Sequence, residues 1–162
     1  MSDLDPGLIR SLFGEDELGV VVRAHIHVEA ALNQLIDVVT PHPELLPRLR
    51  YEQKVNLACA LGLTEECAPP LKKLGDIRNA FGHRVDTALT REMVKGLWLS
   101  FSESDRETIL ESMARTRAQV QPDLPTHFEQ LRPKDQFILS VLTLRGMLVQ
   151  AIEDAKKEKA AA

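Results

Sequence analysis

Aromatic residues are few: five Phe, one Tyr and one Trp in 162 residues. Sheets draw on aromatic and β-branched side chains, whereas the abundant Leu, Ala, Glu, Arg and Lys of this chain fill helices. Cysteine is scarcer still. Cys59 and Cys67 have no second pair to complete a zinc site, and with thiols kept reduced in a cytosol both read as small buried hydrophobes or spectators. No apolar stretch approaches the ~18–20 uninterrupted residues of a membrane span, because Arg23, His25, His27 and Glu29 break up one and Arg145 and Gln150 another. The opening MSDLDPGLIRSLFG begins with acids and lacks the basic and apolar regions of a secretory leader. A cytoplasmic location and no membrane partner are expected.

Missing too are a glycine-rich phosphate loop, the strands of a βαβ unit, a nucleophile elbow and a kinase signature. No cofactor is therefore expected. The formal net charge of −4 is the opposite of the Lys/Arg excess of a general nucleic-acid binder. The charge is unevenly spread, however. Residues 1–47 carry two basic and eight acidic side chains, whereas 48–95 carry nine basic and six acidic, Arg48, Arg50, Lys54, Lys72, Lys73, Arg78, Arg84 and Arg91 among the former. A local basic surface is compatible with that distribution.

What remains is helical periodicity. Asp5 and Pro6 suit an N-cap and first helical residue, with Gly14 closing a short helix. Leu18, Val21, His25, Val28, Leu32, Leu35 and Val39 recur at three- and four-residue steps, a helical core stripe that Thr40-Pro41 must end. A turn over 44–49 precedes a helix over 51–61, which Gly62 is placed to cap. Thr64 suits the next cap, and Pro69-Pro70 the opening of a helix whose stripe is Leu71, Leu74, Ile77 and Phe81. The polar run 84–90 reads as a loop. A helix over about 90–101 carries Met93, Val94, Leu97 and Trp98, and Ser104 with Glu107 has capping-box spacing for a helix to about Gln119. After a surface connection over 121–127, Pro133 opens a long helix with Phe137, Val141, Leu144, Leu148 and Ile152 on one side, its polar end at 156–162 fraying. Without repeats or low-complexity linkers, the expectation is one all-α domain over 1–162, a bundle of about six to eight helices, with a core over roughly 15–120 and a last helix over roughly 133–158.

One segment carries chemistry: Ile77-Arg78-Asn79-Ala80-Phe81-Gly82-His83. Arg78 and His83 are five positions apart, which on an undisturbed helix separates them by ~140° at ~100° per residue. Asn79 and His83 share a face, and Gly82 is placed where the helix can unwind and let His83 turn. Arg offers a fixed fork of donors for phosphate oxygens, and His exchanges protons near neutral pH. A carboxylate would favour the protonated imidazole, and Glu29 is the candidate. The bland alternatives are that Arg78 and Asn79 cap carbonyls, that His83 sits in a dimer seam, and that Glu29 is a solvated or interface carboxylate paired with an Arg. His25 and Glu29 share a helical face while His27 points elsewhere, and no His-x-x-x-His or Cys pair joins them, so neither histidine reads as a metal ligand. Met93, Trp98 and Phe101 fit a packed face rather than a base-stacking platform.

The stretch from Leu18 to His83 contains His27-Val28-Glu29-Ala30-Ala31-Leu32, Lys54-Val55-Asn56-Leu57-Ala58, Leu61-Gly62-Leu63 and Asp76-Ile77-Arg78-Asn79-Ala80-Phe81-Gly82-His83. In these segments the chain resembles the HEPN superfamily, and within it the branch similar to the mannitol operon repressor. The resemblance implies a helical homodimer in which two Arg-x-x-x-x-His motifs face one another. In active members it implies metal-independent RNA cleavage, by attack of the ribose 2′-hydroxyl on the neighbouring phosphate to leave a cyclic phosphate. Carried onto this sequence, Arg78 would stabilise the phosphorane, His83 would act as general acid or base, Asn79 would position them, and Glu29 would orient or charge the imidazole. Gly82 stands where members often have Ala. Two functions follow as expectations: an endoribonuclease of toxin–antitoxin or defence type, whose partners are RNA and an antitoxin, or a non-catalytic transcriptional regulator acting through protein contacts. With no basic recognition helix in evidence, sequence-specific DNA binding is not expected for either.

Overall fold

Four helices begin where a side chain supplies an acceptor for their free N–H groups, and the first of these caps, Asp5, is the one expected from the sequence. The computed structural model describes residues 5–83 and 87–161; Arg84, the start of the expected 84–90 loop, lies outside them, as does Ala162. The Asp5 carboxylate accepts from the Gly7 and Leu8 amides at the head of α1 (Pro6–Gly14). Asp16 does the same for Gly19 at the head of α2 (Glu17–Val39). Such caps contribute about 1 kcal/mol each. A single 3-10 turn at Pro43–Leu45 follows the Thr40-Pro41 break.

In α3 (Tyr51–Ala60) the Gln53 side chain reaches back to the Arg50 amide. Gly62 ends the helix as expected: its φ is +112°, the Leu63 amide donates to the Ala58 carbonyl and the Gly62 amide to Cys59. That paired closure is a Schellman cap, which needs a left-handed residue and so a glycine. Thr64 leads only into a 3-10 turn, Glu65–Cys67, with its hydroxyl on the Cys67 sulfur rather than on a helix amide. The motif helix α4 (Ala68–His83) starts one residue before Pro69.

Thr90 caps α5 (Arg91–Ser100) through the Met93 amide. The next cap is Ser102, bonded to the Asp105 amide and carboxylate, not the expected Ser104, which lies inside α6 (Glu103–Gln119). Ser-x-x-Asp meets the same geometric need as Ser-x-x-Glu and comes first in the chain. After a 3-10 turn at Phe128–Gln130, α7 runs from Pro133 to Ala161. The end expected to fray is helical through Ala161, and Lys159 Nζ donates to the Val38 carbonyl.

The described residues thus form an all-α bundle of seven helices. Their buried side chains make one contiguous cluster around α7, which packs most extensively on α2. Phe137, Val141, Leu144, Leu148 and Ile152 are all buried. By length and hydropathy α7 could cross a bilayer, but its apolar window is 61% buried within the bundle. Lys134 bonds the Phe13 and Glu15 carbonyls, fixing the α1 C-terminus to the start of α7. Trp98 and Met93 pack partly buried against the core and Phe101 is fully inside, as a packing face requires. Leu18, expected in the core stripe of α2, is 53% exposed instead. The buried arc is centred on Val21, Ala24, Val28 and Leu35, so a residue at its margin turns outward.

Candidate functional site

The site is built where α3 and α4 meet α2. Leu71, Leu74, Ile77 and Phe81 are all buried and fix the rotation of α4. That rotation leaves Arg78, Asn79 and His83 exposed. Arg78 Nη1 donates to Asn79 Oδ1 at 3.2 Å. The helix continues through Gly82, so the expected unwinding does not occur and His83 stays on the regular spiral, ~140° round from Arg78. Among the described residues no hydrogen bond or ion pair engages the His83 ring.

Glu29 is not the partner of His83. Its Oε1 accepts from Lys54 Nζ at 2.7 Å, and its Oε2 lies 3.8 Å from His25 Nδ1 one helical turn earlier. The carboxylate is 30% exposed and the ammonium 17%, an environment between a surface pair, worth little, and a buried one. The bland reading of Glu29 as a paired carboxylate fits, with a Lys in place of the Arg.

His25 is 7% exposed, its ring centroid 4.4 Å from that of Tyr51. Burial lowers its pKa below the ordinary 6.5; Glu29 pulls the other way, and the charges of Arg78 and Lys54 add to the lowering. The neutral ring is thus favoured, and Arg78 is near enough to be felt by it. Tyr51 anchors the corner: its hydroxyl donates to the Leu71 carbonyl at 3.0 Å, and burial, with Glu29 second, raises its pKa. Gly75 permits this, since a Cβ there would lie 3.0 Å from the Tyr51 ring.

The structure therefore assembles two groups. Arg78 with Asn79 forms an exposed donor pair, and His25, Glu29, Lys54 and Tyr51 form a half-buried network beneath its edge. Reading the sequence from the motif outward missed the membership of His25, Lys54 and Tyr51. The i, i+4 spacing of His25 and Glu29 was a usable signal for the first; nothing local to residues 51–54 announces the others. A polar recess of about 450 Å³ adjoins the ion pair, lined by Glu29, Lys54, Asn33, Asp37 and Arg48.

Beside the network runs an apolar strip. Leu18, Val22 and Ile26 are 53%, 40% and 58% exposed. At ~100° per residue they fall, with Glu29, within an arc of ~80° on α2. His27 points elsewhere, and its pKa is lowered by burial and by Arg145 and Arg23. Cys67 is buried and Cys59 half-buried, and burial raises both thiols, which mutes their nucleophilicity.

No protein-family model, curated protein or solved structure matches this chain.

Proposed function

We propose that the chain is a metal-independent endoribonuclease of the HEPN kind, acting as a homodimer on RNA. The observation that carries this is the outward presentation of Arg78, Asn79 and His83 on a helix whose opposite side is locked into the core. Arg78 supplies a guanidinium fork for non-bridging phosphate oxygens, and its bond to Asn79 restrains the fork. The 2′-hydroxyl attacks phosphorus, its proton passing to a base; the P–O5′ bond breaks, and the leaving oxygen takes a proton. His83 serves as the base or, protonated, as the acid. Because Arg78 and His83 diverge on one helix, each phosphate is served by Arg78 of one copy and His83 of the other. Leu18, Val22 and Ile26 supply an apolar seam for the second copy beside Glu29. Glu29, held by Lys54, is then a positioning residue for the α2–α3 corner and does not touch RNA. An antitoxin would cover the exposed Arg78 face.

A specific observation also favours the non-catalytic regulator. Continuous α4 and the closed Glu29–Lys54 pair leave His83 without an orienting partner in one chain, which suits an interface acting through protein contacts. One experiment separates the two: purified protein and labelled RNA in EDTA, native against His83→Ala and Arg78→Ala, with product ends tested for cyclic phosphate. The enzyme predicts EDTA-resistant cutting that falls roughly 10²-fold or more in either variant. Ile26→Glu should yield a helical monomer that does not cut. Absence of cutting across several RNAs by a folded native dimer would establish the regulatory reading instead.

A further inference from the structure

A second recess, larger than the one beside Glu29, takes no part in the site above. It is a cleft of about 560 Å³ between the ends of α2 and α3 and the facing sides of α6 and α7, within the ordinary range of small-molecule pockets. Leu35, Val39, Leu61 and Met147 give it an apolar wall. Gly146 widens it: a Cβ there would meet nothing within 4 Å, although glycine weakens the interior of a helix such as α7.

Most polar groups of the lining are already matched. The Arg115 side chain is engaged within the protein. Thr108 donates to the Ser104 carbonyl, Thr64 bonds the Cys67 sulfur, and the Gln150 amide donates to Asp154. Two hydroxyls are left. Thr143 is 6% exposed, and its Oγ1 has no hydrogen-bond partner among the described residues. Ser112, 4% exposed on the facing helix α6, makes no side-chain hydrogen bond among them either. Buried polar groups are nearly always paired, so two orphans lining one cleft call for a partner from outside. Threonine in a helix has two accessible χ1 wells, which lets the Thr143 hydroxyl turn to that partner.

We propose that this cleft binds an uncharged amphiphile, an aliphatic chain ending in a hydroxyl. The chain lies along Leu35, Val39, Leu61 and Met147 across Gly146. Its head donates to one of the Ser112 and Thr143 hydroxyls and accepts from the other. Charge selects against the alternatives. An anionic head meets no unengaged cation and shares the cleft with Asp154 and Glu158. A cationic head at the hydroxyl end leaves water without a carboxylate to receive it, because Asp154 and Glu158 lie roughly 16 and 22 Å along α7 from Thr143 at ~1.5 Å per residue. Held instead by those exposed acids, it gains only what a surface ion pair supplies and leaves both hydroxyls unmatched. The cleft lies apart from Arg78 and His83, and its occupancy is a property distinct from RNA cutting.

The test is calorimetric titration of the full chain with 1-octanol, octanoate and octylamine, alongside thermal unfolding. Saturable binding of one 1-octanol per chain with a rise in Tm is expected, the acid and the amine being about tenfold weaker or worse. Gly146→Leu should abolish binding while keeping or raising Tm, because the new side chain enters open space and improves helix propensity. Ser112→Ala combined with Thr143→Val should keep the native Tm and erase the preference for 1-octanol over octylamine, which decides the matter should the leucine variant misfold. Absence of saturable 1-octanol binding up to its solubility, equal or tighter binding of octanoate or octylamine, a folded Gly146→Leu that binds like the native chain, or a preference that survives loss of both hydroxyls would overturn the proposal.

Discussion

Replacing Gly82 by alanine tests the continuity of α4 where it bears on function. A Cβ at Gly82 would meet nothing within 4 Å, and its φ is not positive, so alanine fits without strain. Glycine costs a helix interior about 0.8–1.0 kcal/mol relative to alanine. At the last turn, next to His83, roughly half of that is realised, so Gly82→Ala should stabilise the protein by about 0.5 kcal/mol. For a chain of this size that raises Tm by about 1–2 °C. Calorimetry at fixed protein concentration measures it, since an associating protein's Tm shifts with concentration. The RNA assay is its companion. If His83 works from a regular helix across a dimer, Gly82→Ala leaves the cleavage rate essentially unchanged. A fall in Tm of a few degrees would refute the continuous helix; an unchanged or raised Tm with lost cleavage would show that His83 must leave the spiral to act.

The same substitution one face away should have the opposite sign. Gly75→Ala places a Cβ 3.0 Å from the Tyr51 ring, and displacing that ring costs about 1–3 kcal/mol, more than the propensity gained, so Tm should drop; a rise would mean the Tyr51 corner is looser than its contacts imply. The pH dependence of stability follows from His25, whose folded pKa is lowered below 6.5, chiefly by burial. The unfolded chain then binds the proton more readily, so this contribution is complete above pH 6.5 and declines as pH falls from 6.5 to the lowered folded value. Denaturant titrations across that window should show a smaller loss for His25→Asn than for the native chain, and parallel curves would assign the dependence to other groups, His27 first.

Much of the architecture was legible because it rests on local chemistry. Asp5, Pro6 and Gly62 act where their side chains or backbone freedom dictate, and the stripe of α4 is buried as its three- and four-residue spacing requires. The misplacements were small and have one cause. Ser104 and Leu18 satisfied a pattern that a neighbour satisfied better: Ser102 met the first free amides of α6, and Val21 and Ala24 took the buried arc of α2. Local rules state which residues are eligible; packing chooses among them.

The site was less legible, and Glu29 shows why. From sequence it was the candidate carboxylate for His83, and it is neither exposed enough to be idle nor paired with the motif. Lys54 decides its role from α3, 25 residues on, because the Schellman closure at Gly62 and the Tyr51–Leu71 bond bring α3 onto both α2 and α4. A carboxylate held 2.7 Å from an ammonium is a poor proton acceptor for a third group, whereas Arg78 and His83 stand exposed on α4, and among the described residues neither makes an ion pair. The proposed phosphate chemistry therefore rests on Arg78, Asn79 and His83, and the carboxylate of Glu29, held by Lys54, belongs to the α2–α3 corner.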